Sequence, residues 1–467
     1  MGASFSVTTL ASFRERLSWS LYGFANTSFS MNILTLFFAA WVVSDLHQTN
    51  FSVALAGAIA SVMVLVSIPI FGALSDVTQR RKPWIVGFTL LACVATVLIA
   101  IIGQTQLPVI GEGTANPGVA AAIPFWPLIG VLTAFTIANY AHQASQPFYN
   151  AMMGELAPPE RRGRLSGMGE AFAYSGAIIG VLLCVPFFTG TFPGLGALAP
   201  HLISTLRSIF PLTSPGGRVS TFFPTVVIFF LFSLPLFLFC RDHNATRVKK
   251  RIPWKDSFRE VAQTFAEARK YPGVARFVFT SFLYQDAMGT ILGNMALYAI
   301  MAMGFKKGSE ATLLIVLTMP AVLGSYLIGK VVDRIGAKRT LTLVLLSWVV
   351  LLTALILTPS VMVFWIIGAM IGFIYGGVWT AERPMLLSLV PDREAGRFFS
   401  LMVLSGRAAA LVGPVIFSVT VDHLRVPIGA NLAYRAGVFT VMLGMAGALW
   451  LLRGVPDTFS RKRSQPA

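Results

Sequence analysis

Two stretches decide how this chain folds: Gly72-Ala-Leu-Ser-Asp76-Val-Thr-Gln-Arg80-Arg81-Lys82 and Gly329-Lys-Val-Val-Asp333-Arg334-Ile-Gly336-Ala-Lys338-Arg339. Each places an aspartate four residues after a glycine and a basic cluster next, at the end of a long apolar run. A second echo pairs Pro158-Pro-Glu-Arg-Arg-Gly163-Arg164 with Pro391-Asp-Arg-Glu-Ala-Gly396-Arg397. A signal that recurs in order divides a chain into two related halves.

The runs around these stretches are too apolar for a soluble protein. Of 467 residues, 55% are hydrophobic and only 12% charged, with a mean hydropathy of +0.73. Soluble domains sit near 45–50% and about 25%, and a membrane-crossing helix needs about 20 mostly apolar residues. Six such runs fill the first half: Ser18–Val43, Phe51–Ser75, Pro83–Gly103, Ala122–Tyr149, Leu165–Phe188 and Thr221–Cys240. Six more fill the second: Val274–Met301, Ala311–Val332, Thr340–Leu357, Val361–Leu389, Phe398–Val421 and Asn431–Leu452. The sequence predicts an all-α polytopic membrane protein of twelve transmembrane helices. Residues 1–240 and 274–467 form two six-helix units, and 241–273 form a basic linker.

A net charge of +17 in a soluble protein would suggest nucleic acid. Here it follows from basic loops on one membrane face, so no nucleic-acid partner is expected. With both termini on that face, its loops hold 28 of the 36 Lys and Arg residues, and the opposite loops hold about six. Both ends and the segment from Arg241 to Arg276 are therefore expected in the cytoplasm. Cys93, Cys184 and Cys240 lie in or at the end of apolar runs, without metal-ligand spacing or a disulfide pattern. The polar start up to Arg16 lacks a cleavage site, so the first run reads as a retained helix.

Polar residues within the spans are candidates for function, because an ionised carboxylate at a helix centre costs about 2.5–3.5 kcal/mol to insert. Asp286 lies mid-span, sharing a face with Gly289, Thr290, Gly293 and Asn294. It is expected to bind a proton or a cationic group, with glycines that would permit unwinding; a structural carboxyl is the alternative. The fourth span aligns Asn139, His142, Gln143, Gln146 and Asn150 in one sector of about 100°, which cannot face lipid. The first aligns Tyr22, Asn26 and Ser30, as cavity lining or as interhelical glue. Glu382 and Arg407 are expected at similar depths in neighbouring spans, as an ion pair, unless Arg407 meets a carboxylate of the substrate. Asp76 and Asp333, with Gly72, Arg80, Arg81, Arg164, Gly329, Arg334 and Arg397, are expected to gate the basic face. They would pair across the halves with cations or a helix N-terminus. No enzyme motif, metal-spaced cluster or phosphate-cradling loop is found, so neither cofactor nor metal is expected.

The repeated Gly-x-x-x-Asp loops, the twelve spans and the basic central linker resemble the major facilitator superfamily over nearly the whole chain. Finer motifs are similar to its vacuolar amino-acid effluxer branch and bacterial relatives. These are Tyr22-Gly-Phe-Ala-Asn26-Thr-Ser-Phe29, Tyr149-Asn-Ala-Met-Met-Gly-Glu155, Tyr284-Gln-Asp286-Ala-Met-Gly-Thr-Ile291 and Val390-Pro-Asp-Arg-Glu-Ala-Gly-Arg-Phe-Phe399. The chain departs from that branch at Gly23, where a carboxylate is usual. It departs again at Trp379-Thr-Ala-Glu382-Arg383-Pro384, where Gln-x-x-Ser-Arg-Ser is usual. Trp379 thereby joins the candidates. The resemblance implies two bundles around a central cavity and alternating access. It implies a monomer in a bacterial inner membrane, exporting an amino-acid-like solute with protons or Na+, among membrane lipids. Tyr22-Gly23 and Ser75-Asp76…Arg81-Lys82-Pro83-Trp84 also resemble sugar:cation symporters, the second reading. A non-transporting sensor or assembly partner is the third.

The charge count yields a direct test. In a cysteine-free background in intact cells, an impermeant thiol reagent should label Ser214→Cys and spare Ser257→Cys; the reverse pattern inverts the topology.

Overall fold

The computed structural model describes residues 11–107, 124–190, 199–213, 216–243, 271–305 and 310–457. Regular structure among them is entirely helical. The first half holds α1 (Phe13–Asp45), α2 (Asn50–Thr78), α3 (Lys82–Thr105), α4 (Phe125–Leu156), α5 (Arg162–Thr189) and α6 (Phe222–Phe239). The second holds α7 (Val274–Met303), α8 (Glu310–Ile335), α9 (Ala337–Leu357), α10 (Val361–Leu389), α11 (Ala395–Ile428) and α12 (Ala430–Arg453). Among the described residues, seven of these are long and apolar enough, by length and composition, to cross a membrane. The linker and the Gly/Pro-rich outer loop expected from Gln104 to Ala121 fall largely outside the described residues. A short helix, Ala199–Ile209, was not expected; its Arg207 Nη2 donates to Phe187 O at 2.7 Å, serving an orphan carbonyl near the end of α5.

Local chemistry sets the helix ends. Ser12 and Glu15 form a reciprocal capping box that starts α1. The repeated proline motifs become equivalent single 3-10 turns, Pro159–Arg161 and Asp392–Glu394, leading into α5 and α11. Helix α4 continues past the expected Tyr149 to Leu156, and α11 past Val421 to Ile428. Within α1 the backbone widens to π-helix over Ser30–Phe37 and Trp41–Asp45. Helix α7 is continuous, so the unwinding suggested by Gly289 and Gly293 is absent; a Cβ at either would meet nothing within 4 Å.

Helices α1–α6 pack on one another, as do α7–α12. The halves meet where α2 crosses α11 and α5 crosses α8, with further contact of α4 on α11 and α5 on α10. Apolar side chains such as Leu90, Val94 and Leu98 on α3, and Leu343 and Val350 on α9, remain exposed on the outer surface, as lipid contact requires.

Small residues set the helix separations, because lipid supplies no hydrophobic drive between helices and close backbone approach must hold them. On α5, a Cβ at Gly176 would lie 2.2 Å from Phe24 O, and one at Gly180 2.0 Å from Ser28 Oγ, both on α1. On α8, a Cβ at Gly324 would lie 1.9 Å from Phe373 O of α10. Gly324→Ala should cost about 1–3 kcal/mol through forced separation of α8 and α10, read as a lower thermal unfolding midpoint. Gly289→Ala should leave that midpoint unchanged.

Candidate functional site: a central cavity closed at one end

Both described ends of the chain lie at the same end of the bundle, called here the basic end. There the two repeated motifs make matching contacts across the halves. Asp76, at the end of α2, accepts from Gly396 N and Arg397 N at 2.9 Å each, first-turn amides of α11 that their own helix cannot serve. Asp333, at the end of α8, accepts from Arg164 N at 3.2 Å in the first turn of α5 and forms an ion pair with the Arg164 guanidinium, Nε at 3.3 Å. A carboxylate there also meets the positive end of the helix dipole. The paired glycines make the approach possible: a Cβ on Gly72 would lie 2.4 Å from Ser400 Oγ, and one on Gly329 2.6 Å from Gly163 O.

Arginines extend the closure. Arg81 is fully buried; its Nη1 pairs with Glu155 at 2.8 Å and its Nη2 donates to Asp392 O at 2.7 Å. Arg162, which sequence reasoning did not single out, pairs with Asp392 Oδ2 at 2.5 Å and donates to Leu387 O. Arg397 pairs with Glu394 beside its own helix start. Tyr271 donates to Glu394 Oε2 at 2.7 Å, and that carboxylate raises the phenol above its ordinary pKa. Arg80, just past the end of α2, and Arg334, next to Asp333, stand exposed at the surface.

Above this closure a cavity of about 410 Å³ lies between the halves. Helix α4 contributes His142, Gln143, Gln146 and Asn150; α10 contributes Tyr375, Trp379, Glu382 and Arg383. Gln285 and Met288 of α7 and Met402 of α11 complete an amide- and thioether-rich wall. Glu382 Oε1 accepts from Tyr284 Oη at 2.6 Å, Ser281 Oγ at 2.8 Å and Gln285 Nε2 at 2.8 Å, three neutral donors along α7. The expected partner Arg407 has its side chain outside the described residues. Arg383 faces the other half: Nη2 pairs with Glu170 Oε1 of α5 at 2.6 Å, and Nε donates to Asn150 Oδ1 at 2.9 Å. Its guanidinium lies 5.9 Å from the Trp19 ring centroid and 5.7 Å from that of Tyr149. Its Nη1 is buried without a hydrogen-bond partner among the described residues.

Other sequence candidates lie outside the cavity wall. Tyr22 is buried against Tyr149 and Phe229, with its hydroxyl 2.9 Å from Thr89 Oγ1, so it joins helices. Asn26 is likewise buried, and Asn139 accepts from Gln143 Nε2 at 2.8 Å. Asp286 turns to α11, where its Oδ1 accepts from Gly413 N at 2.6 Å. Thr290 packs at the same crossing: a Cβ on Gly413 would lie 2.2 Å from its Oγ1. Asn294 donates to Thr290 O. Glu170 was missed, although it is a carboxylate inside an apolar span, the signal that singled out Asp286. Among the described residues, no three His, Cys, Asp or Glu side chains gather as a metal site would need.

The sequence profile of the Major Facilitator Superfamily matches residues 19–414 and 311–467. The chain is 23% identical to the uncharacterized MFS-type transporter YxiO of Bacillus subtilis strain 168, over 97% of each chain. It is 24% identical to multidrug resistance protein MdtG of Proteus mirabilis strain HI4320, over 88% of this chain and 87% of the relative. It is 20% identical to autophagy-related protein 22-2 of Aspergillus clavatus, over 56% and 43% respectively. Among solved structures, FucP in the outward conformation is similar, with a TM-score of 0.66 at 17% identity, over 93% of this chain and 98% of that one.

The Glu170–Arg383 pair is testable by a double-mutant cycle. Removing one partner strands the other as a buried charge, at a cost of about 3–5 kcal/mol. Glu170→Gln and Arg383→Gln should each lower the unfolding midpoint. The double variant should lose clearly less than their combined effect; simple additivity would show that the two do not interact.

Proposed function

The chain belongs to the Major Facilitator Superfamily and is an integral membrane secondary transporter, and from that premise we propose that it exports an amino-acid-like solute by alternating access. The observation that carries this reading is the cavity between the halves, where Glu382 and Arg383 stand side by side in the wall. A zwitterion has an ammonium to meet the first and a carboxylate to meet the second, whose Nη1 has no hydrogen-bond partner among the described residues. The amides of Gln143, Gln146 and Gln285, with Trp379, Met288 and Met402, suit a small polar or amphiphilic body. The resistance protein among the relatives, by its printed name, supports outward movement.

We assign the basic end to the cytoplasm of a bacterial inner membrane, from the positive-inside count. The described state is then closed toward the cytoplasm. Asp76 and Asp333 act as gates: releasing the α11 and α5 amides lets the halves rock about the cavity. Asp286 carries the coupling proton. Its bond to Gly413 N ties α7 to α11, and protonation removes the charge that the amide serves.

The test is counterflow in proteoliposomes, with amino acids, sugars and organic cations offered separately. Amino acids should exchange, and Asp286→Asn should lose gradient-driven accumulation while keeping exchange. Exchange of sugars alone would favour the symporter reading, and no exchange of any solute would remove the transport assignment. Unchanged uphill transport in Asp286→Asn would take that residue out of coupling.

A further inference from the structure

A second cavity of about 390 Å³ lies away from the solute pathway, at the outer edge of the seam where α5 crosses α8 at the basic end. Four cations face it: Arg16 near the start of α1, Arg161 and Arg164 at the start of α5, and Lys330 near the end of α8. Among the described residues, no acidic side chain is in its wall. The gate carboxylate Asp333 has a side chain only 5% exposed; it accepts from Arg164 N and is ion-paired with that residue's guanidinium. Glu15, next to Arg16 in sequence, is engaged by Ser12 and His243. Arg16 Nε is buried and has no hydrogen-bond partner among the described residues. The rest of the wall is apolar or aromatic. Leu165 and Met168 line it from α5, Phe13 is 66% exposed at its mouth, and Tyr326 is 46% exposed, with Lys330 Nζ 4.3 Å from its ring centroid.

Cations at one end of a groove and apolar side chains along it match a molecule with an anionic head and a hydrocarbon body. The three helix ends place the cations at headgroup depth, where basic pockets between transmembrane helices take anionic lipid heads. A free anion would have no use for Phe13, Leu165 and Met168. We propose that this groove binds one anionic phospholipid, its phosphate held by Arg16, Arg161, Arg164 and Lys330 and its chains laid along Leu165, Met168 and Tyr326. Arg16, Arg161 and Arg164 belong to one half, and Tyr326 and Lys330 to the other. The lipid therefore bridges the gate and binds best while the basic end is closed, whatever solute the central cavity carries.

Native mass spectrometry of the purified full chain, titrated with phosphatidylglycerol or phosphatidylcholine, tests this. Phosphatidylglycerol should bind at least about tenfold more tightly and raise the thermal unfolding midpoint. Arg161→Gln combined with Lys330→Gln should lose about tenfold or more of that preference. Arg425→Gln, an exposed charge at the other end, should keep it. If the double variant does not fold, Arg161→Gln alone, at an exposed position, should still lose about fivefold. Equal binding of the two lipids, or an unchanged preference in these groove variants, overturns the proposal. Displacement of phosphatidylglycerol by millimolar inorganic phosphate would show a free-anion site and overturn it as well.

Discussion

Two crossings at which backbones nearly touch, α2 on α11 and α5 on α8, hold the rest of the molecule in place. Each needs a glycine on both helices: Gly72 against Gly396, and Gly329 against Gly163. Only with no side chain between them can Asp76 and Asp333 reach the first-turn amides of the opposite helix. Those amides have no partner within their own helix, and the carboxylates supply one. The cavity above exists because the halves are pinned below it.

The two kinds of contact have different consequences for motion. Within each half, helices hold together through small-residue crossings such as Gly176 and Gly180 of α5 against α1, and through buried aromatic clusters. Separating those would expose close-packed surface with nothing to replace it. Between the halves, the contacts at the basic end are largely carboxylates, guanidinium groups and amides. Water can take over each of these when that end opens. The proposed rocking asks for this division: halves that stay rigid and a seam that can exchange protein partners for solvent.

Charge inside the bilayer is handled by pairing across that seam. Arg383 is bound by Glu170 and Asn150 of the other half and stacked near Trp19 and Tyr149. Glu382, one residue earlier, points about 100° away to three neutral donors on its own half. One helix turn thus presents opposite charges about 100° apart, each with its own partners, and both stay in the cavity wall.

What the sequence determined by itself was whatever is local or repeated. Apolar run length set twelve helices, and the duplicated Gly-x-x-x-Asp and proline-glycine-arginine motifs suggested a division into halves. The departures at Trp379 and Glu382 marked residues that prove to line the cavity. Side-chain periodicity also indicated that the stripe on α4 faces inward, because 100° per residue is a property of any helix. Tertiary structure alone decided which neighbour each inward residue meets. Tyr22 and Asp286 have inward positions like Gln143 and Glu382. Yet the rotation and crossing of whole helices bury Tyr22 against Thr89 and turn Asp286 to Gly413. Glu170 and Arg383 lie more than 200 residues apart and become partners only because α5 and α10 pack across the seam. Helix orientation is fixed jointly by every close crossing in the bundle, and no single segment carries that information.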